Sequence, residues 1–152
     1  MAVLLLDLGN TRVKWALKTR KGLSPSRALA HRDQSVTAEL LRDWKNFQAP
    51  HCVLISNVAS ACLLNKVINL AESLWPAAEI DKVQPQRHAF GVTNAYQEPS
   101  KFGVDRWLCL VAARRFHSLP VCIVDCGTAI TVDVLAVDGR HRGGLIAPGL
   151  SL

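Results

Sequence analysis

The chain has no Cys-x-x-Cys pair, and its five cysteines (Cys52, Cys62, Cys109, Cys122 and Cys126) are odd in number. One thiol is left over in any pairing scheme, which argues against a disulfide framework and against a structural zinc site. Cys122 and Cys126 stand four apart on an expected strand, on one face but too distant to bridge, and read as small buried apolar residues. A long hydrophobic segment is missing too. The N-terminal apolar run has no basic region before it and meets Asp7 almost at once, unlike a signal peptide or a membrane span. The cytoplasm is therefore the expected compartment, with no membrane partner. No aromatic-interleaved basic stripe occurs either. The net charge of +6 suggests an anionic partner, while nucleic acid is not specifically indicated.

What is present fits a globular enzyme. Of the 152 residues 49% are apolar and 20% charged, which argues against disorder and allows one good core or two small ones. The chain also repeats itself. Val3-Leu4-Leu5-Leu6-Asp7-Leu8-Gly9-Asn10-Thr11 is an apolar run ending in Asp-x-Gly and hydroxyl or amide side chains. Val121-Cys122-Ile123-Val124-Asp125-Cys126-Gly127-Thr128 has the same layout, 118 residues on when counted from Asp7 to Asp125. Each is followed by a second stretch of β-formers, Val13 to Leu17 and Thr131 to Leu135. The offset far exceeds the roughly 20–50 residues of solenoid and propeller repeats, so it indicates a duplicated domain.

A strand ending in a carboxylate can present it to a metal ion or to the ion's water shell. A glycine two residues later lets the backbone bend, so that its N–H groups approach phosphate oxygens. One Asp-x-Gly is also ordinary hairpin chemistry; two copies in the same strand–turn–strand setting favour the phosphate-binding reading. Among the basic residues near the first turn (Arg12, Lys14, Lys18, Arg20, Lys21), Lys14 lies close behind the glycine.

The patterning predicts a mixed α/β chain. Residues 2–8 and 12–18 form a hairpin, with a third strand near 27–31. A helix follows over 37–48, with Leu40, Leu41 and Trp44 on one face. A buried strand at 52–56 precedes a helix capped by Ser60 and carrying Leu63, Leu64, Val67, Ile68, Ala71 and Leu74 at helical spacing, closed by Pro76. Another strand is expected near 79–83. Residues 84–101 read as a long irregular loop, more often functional than idle. A helix over 105–117 connects the halves, and strands over 121–126 and 129–136 with an Asp138-Gly139 turn open the second half. His88, His117 and His141 read as surface or packing residues, and Trp44 and Trp107 as helix-core residues.

Four segments occur in order: Asp7-Leu8-Gly9-Asn10-Thr11, Tyr96-x-x-Pro99-x-x-Phe102-Gly103-Val104-Asp105-Arg106-Trp107, Asp125-Cys126-Gly127-Thr128-Ala129, and Gly143-Gly144-x-Ile146-x-Pro148-Gly149. Together they resemble the type III pantothenate kinases, including the Bvg accessory factor branch, of the acetate kinase/sugar kinase/Hsp70/actin superfamily. The resemblance spans nearly the whole chain. It implies a duplicated ribonuclease-H-like, actin-like ATPase fold with the second half truncated. The implied divisions are a first domain with its substrate loop at 1–104, a connecting helix at 105–117, and the start of a second domain at 118–152.

The resemblance also implies roles. Asp7 would help position Mg²⁺, and Gly9, Asn10, Thr11, Arg12 and Lys14 would line the ATP phosphates, with Gly127 and Thr128 on the opposite wall. Asp125 matches the position that binds a monovalent cation, K⁺ or NH₄⁺. Tyr96, Gly103, Val104, Asp105 and Arg106 match the pantothenate-binding residues, and Asp105 the catalytic base. Spacing alone leaves Asp105 open between a helix cap and a base. As a base it would accept the proton of the attacking hydroxyl, and a helix N-terminus would favour its ionised form. Arg106 would pair with the substrate carboxylate in fork geometry.

Two departures from the family pattern stand out. Phe102 replaces the usual Leu beside the substrate segment. The sequence also stops at Leu152, where the family continues with further helices and another substrate-contacting hydroxyl residue; the second sheet is then expected to carry an uncovered apolar face. The family places its substrate site at a homodimer interface. The expected function is ATP-dependent phosphorylation of pantothenate to 4′-phosphopantothenate, the first step towards coenzyme A. The alternatives are a regulatory protein, a transcription accessory factor on the same scaffold, and a related kinase for another small hydroxylated acid.

Overall fold

Strand β1 (Val3–Leu8) is paired on both sides, and this accounts for its nearly continuous apolar sequence. The computed structural model describes residues 1–31 and 36–149; expectations for 150–152 lie outside them. By internal contacts the chain forms two compact units, Met1–Val83 and Gln84–Leu152.

In the first unit β1 pairs antiparallel with β2 (Arg12–Thr19) and parallel with β5 (Cys52–Asn57). Strands β3 (Gly22–Leu23) and β4 (Arg27–Ala30) pair with β2, and β6 (Glu79–Lys82) extends the sheet beyond β5. Helices α1 (Val36–Trp44) and α2 (Ala61–Leu74) contribute Leu40, Trp44, Leu63, Val67 and Ala71 to a core with Leu4, Leu6, Leu8, Val13, Trp15, Val53 and Ile55. Period-two alternation sends Leu4, Leu6 and Leu8 to that core and Asp7 to the opposite face. Trp44 meets Trp15 edge to face at 6.3 Å between ring centroids and Trp75 at 5.6 Å. Ser60 caps α2, accepting from the Leu63 N–H.

Two details depart from the expected pattern here. Helix α1 stops at Trp44 instead of running to 48, because the Phe47 N–H turns back to the Trp44 carbonyl. Leu41 is 42% exposed, on the rim of the face that buries Leu40 and Trp44.

The second unit contains β7 (His88–Ala89), β8 (Val92–Thr93), α3 (Val104–Phe116), β9 (Val121–Cys126), β10 (Ala129–Leu135) and β11 (His141–Pro148). The last three form an antiparallel sheet with β10 central. The segment 84–101 is more ordered than an irregular loop. Strands β7 and β8 make a hairpin whose loop, Phe90 and Gly91, has positive φ at both positions (53° and 74°), and Pro99–Lys101 forms a 3-10 turn. Gly91 adopts such angles at little cost; sequence patterning does not reveal Phe90 doing so.

By internal contacts residues 84–104 and α3 group with the second sheet. One face of that sheet carries Asp125, Thr131 and Asp133, and α3 packs there. The other carries Cys122, Val124, Cys126 and Leu145, all exposed. The two cysteines are thus exposed instead of buried, because no layer of described residues packs over them.

Candidate functional site

In the first unit the candidate phosphate site forms where β1 ends. Register places Lys14 of β2 and Ser56 of β5 on either side of Asp7. Lys14 Nζ lies 3.4 Å from Asp7 Oδ2, and Ser56 Oγ donates to Asp7 Oδ1 at 3.4 Å. Both charged side chains keep substantial exposure, so the pair contributes at most about 1 kcal/mol to stability. Its charges are open to a ligand.

The turn itself is closed by the Gly9 N–H donating to the Arg12 carbonyl at 3.0 Å. A Cβ at Gly9 would come within 3.2 Å of that carbonyl, a tight fit that explains the glycine. His31 fastens the turn from outside: its Nε2 lies 2.7 Å from the Gly9 carbonyl, and its backbone N–H donates to the Thr11 carbonyl at 3.1 Å. Asn10, Arg12 and Lys14 are exposed, and Arg12 and Lys14 share the strand face that carries Asp7. His31 was invisible to spacing arguments, because its role comes from β4 pairing with β2. A carboxylate between a cation and a backbone turn suits a ligand that brings phosphates and a divalent ion together.

In the second unit the remaining candidates fall into two groups. Asp125, Gly127 and Thr128 lie at the exposed β9–β10 turn, closed by the Gly127 N–H donating to the Ala129 carbonyl at 3.0 Å. The Pro148-Gly149 segment reaches this turn through β11: the Gly149 N–H donates to the Thr128 carbonyl at 3.1 Å, and a Cβ at Gly149 would come within 2.5 Å of the Gly127 and Thr128 carbonyls. Two motifs separated in sequence thus become one feature.

The other group centres on the start of α3. Gly103 occupies the cap position and Asp105 lies inside the first turn, so Asp105 is not the helix cap. Its Oδ1 accepts the Arg106 N–H at 2.8 Å. A Cβ at Gly103 would come within 2.5 Å of that oxygen, so glycine leaves the carboxylate its place. The helix N-terminus supplies a field favourable to negative charge there.

Arg106 differs from the expectation of a guanidinium fork offered to a substrate carboxylate. It is 6% exposed, and its Nε and Nη2 donate to Asp133 Oδ2 and Oδ1 at 2.7 and 2.6 Å. The hydrogen bond to Asp133 pushes the Arg106 pKa up, burial opposes this, and the nearby Tyr96 hydroxyl adds to the rise. The Nε–Nη2 edge of the fork is already filled from within.

His141, expected at the surface or in packing, is buried with its Nε2 2.7 Å from Asp133 Oδ1. That ring nitrogen carries the hydrogen, because the atom it faces is a carboxylate oxygen. Tyr96 stacks on His141 at 6.3 Å with 6° between planes, and Phe102 lies 4.9 Å from Tyr96 and 5.0 Å from His141. The Arg106 guanidinium sits over Phe102 at 4.8 Å, a cation–π contact. The departure at 102 therefore lies against Tyr96, His141 and Arg106, where its ring forms part of the packing around Arg106. Asn94 Oδ1 accepts the Tyr96 N–H at 3.0 Å, while Arg87 Nη1 donates to the Tyr96 carbonyl at 2.8 Å.

The structure thus brings Tyr96 and Gly103 to Arg106 together and adds Asp133, His141 and Asn94, which spacing did not single out. The second-copy residues form their own turn. Among the described residues no three His, Cys, Asp or Glu side chains cluster as a ready metal cage, and no helix is long and apolar enough to cross a membrane.

Comparison with known proteins bears on both units. The model of the family described as type III pantothenate kinase matches residues 3–152. A type III pantothenate kinase of Nitrosococcus oceani is 37% identical over 155 residues, covering 99% of this chain and 58% of that protein. That of Dichelobacter nodosus is 36% identical over 149 residues (98% and 60%), and that of Paraburkholderia phymatum 40% over 158 (98% and 55%). The chain therefore spans somewhat more than half the length of these curated relatives.

Two solved structures show likeness of fold. A conserved Campylobacter jejuni protein described as a Baf family transcriptional activator aligns with a TM-score of 0.56 at 21% identity, over 97% of this chain and 55% of that one. The ethanolamine utilization protein EutJ of Carboxydothermus hydrogenoformans gives 0.52 at 10% identity, over 98% and 52%.

Proposed function

Since the chain belongs to the type III pantothenate kinase family, we propose that it acts in ATP-dependent phosphorylation of pantothenate to 4′-phosphopantothenate, the first step of coenzyme A synthesis. The observation that carries this reading is the family match over residues 3–152, with Tyr96, Asp105 and Arg106 assembled at the head of α3.

In this reading residues 1–104 and the segment from 118 onwards belong to the two halves of a duplicated ribonuclease-H-like, actin-like fold, joined by the helix at 105–117. The Gly9–Thr11 turn, Arg12 and Lys14 line the ATP phosphates, the two basic side chains adding positive charge, and Gly127 and Thr128 contact the nucleotide. Asp7 fits a Mg²⁺ site: it is a partly exposed carboxylate beside a lysine, and Mg²⁺ takes few protein ligands when phosphates and water supply the rest. The ion, when bound, offsets phosphate charge. Asp125, an exposed carboxylate beside the second glycine turn, suits one ligand of a monovalent cation, K⁺ or NH₄⁺.

Asp105 is the base. The 4′-oxygen of pantothenate bonds to the γ-phosphorus, the bond from that phosphorus to the β–γ bridging oxygen breaks, and the hydroxyl proton passes to Asp105. ADP leaves. Such a transfer depends mainly on positioning and charge stabilisation, which suits a carboxylate held in a first helical turn. Tyr96, Gly103, Val104 and Arg106 define the substrate side. A cytoplasmic homodimer is part of the proposal. No particular observation favours the regulatory reading, because the Baf-described structure informs the fold alone.

The test is product analysis with the purified chain, ATP, Mg²⁺, K⁺ and pantothenate. The expected result is a pantothenate-derived species carrying one added phosphate, formed in step with ADP. ADP release that ignores pantothenate would count against the substrate assignment.

A further inference from the structure

We propose that Asp133 and His141 are positioning residues of the substrate site, acting through Arg106 to fix the Gly103–Arg106 segment and the Tyr96 ring. The inference rests on the pantothenate kinase reading of that segment and deepens it. Asp133 takes the Nε and Nη2 edge of Arg106 and the Tyr96 hydroxyl bonds the same guanidinium, so the direction of its remaining N–H groups is fixed. His141 holds the Asp133 oxygen that receives Nη2 and presents its ring face to Tyr96 and Phe102. Tyr96 precedes α3 and Arg106 lies in its first turn; contacts to His141 and Asp133 tie the two to the same strands. Gly144 closes the back, since a Cβ there would meet the Val132 carbonyl, Asp133 Oδ1 and Arg106 Nη2.

Stability alone accounts poorly for this arrangement. Buried ion pairs are often no more stabilising than apolar residues of similar volume. The network also leaves costs unrecovered: His141 Nδ1 and Asn94 Nδ2 are buried without a hydrogen-bond partner. Arg106 is already neutralised by Asp133, so it offers a substrate carboxylate directed N–H groups more than net positive charge. Directional recognition depends on orientation, and Asp133 and His141 supply it.

The test compares the unaltered chain with His141→Leu and His141→Gln. Glutamine keeps an N–H able to reach Asp133; leucine does not. Two quantities are read: KM values for pantothenate and ATP, and the hydrogen-exchange rate of the Arg106 Nε–H by ¹⁵N NMR. In a chain that turns over pantothenate, His141→Leu should raise its KM about tenfold or more with the ATP KM unchanged, and His141→Gln should restore it. An unchanged pantothenate KM in His141→Leu would overturn the positioning role and leave the kinase reading intact. In a chain without turnover the kinase reading fails for this form, and the exchange rate decides. Slow exchange in the unaltered chain and His141→Gln but fast in His141→Leu supports positioning; equal rates overturn it. Should His141→Leu fail to fold, Asp133→Glu, which keeps the charge but lengthens the side chain, takes its place with the same outcomes.

Discussion

Asp133 binds the Arg106 guanidinium with both carboxylate oxygens, at 2.7 Å to Nε and 2.6 Å to Nη2, and both side chains are almost wholly buried. The contact joins the first turn of α3 to the central strand of the second sheet. Removing the charge of Asp133 alone would strand a buried cation. Asp133→Asn is expected to cost about 3–5 kcal/mol, seen as a large drop in thermal midpoint, while Arg106→Met combined with Asp133→Leu should lose less. A double variant as damaged as Asp133→Asn would contradict this.

Gly144 tests the same contact sterically. A Cβ there has no room between the Val132 carbonyl and the Arg106–Asp133 pair, so Gly144→Ala should destabilise by about 2 kcal/mol or more. At Gly143 nothing lies within 4 Å but φ is +93°, so Gly143→Ala should cost about 1 kcal/mol of backbone strain. Denaturation midpoints of the two variants give the order directly.

These two relationships mark the limit of what the sequence made legible. The hairpin of β1 and β2, strand β5 and helix α2 could be read because hydrophobic period and caps are local properties. The glycine turns at Gly9 and Gly127 could be read because the motif occurs twice. Asp133 and His141 could not, because their partners lie on other elements and no spacing rule links a strand aspartate to an arginine 27 residues earlier. The exposure of Cys122 and Cys126 was hidden for a related reason: burial on a strand depends on which layer covers its face. The short β7–β8 hairpin escaped notice because two-residue strands leave no period to detect.

Helix α1 offers a check on burial. Leu40 is fully buried and its neighbour Leu41 is 42% exposed. Leu40→Ala should cost about 2–5 kcal/mol and Leu41→Ala far less, as measured by urea denaturation.

Thiol chemistry should follow the same geography. Burial, reinforced by the nearby carboxylates of Asp81 and Glu79, pushes the Cys52 thiol above its ordinary pKa. Its thiolate is therefore scarce at pH 8, whereas Cys62, Cys122 and Cys126 are exposed. Alkylation followed by peptide mapping should modify those three well before Cys52. The sign for stability is that the folded state holds the Cys52 proton more tightly, so this group makes the fold less stable as pH rises above about 9. Early modification of Cys52 in the folded chain would count against its placement.

Asp105, set in the first turn of α3, is the residue proposed as the base of pantothenate phosphorylation. Its most direct test is pantothenate-dependent ATP consumption by the purified chain and by Asp105→Asn, with Mg²⁺ and K⁺ present and folding checked by circular dichroism. Loss of a general base typically costs about 10²–10⁴-fold in rate. The account predicts that Asp105→Asn stays folded and loses turnover on that scale; a folded Asp105→Asn that consumes ATP with pantothenate as fast as the unaltered chain would contradict it.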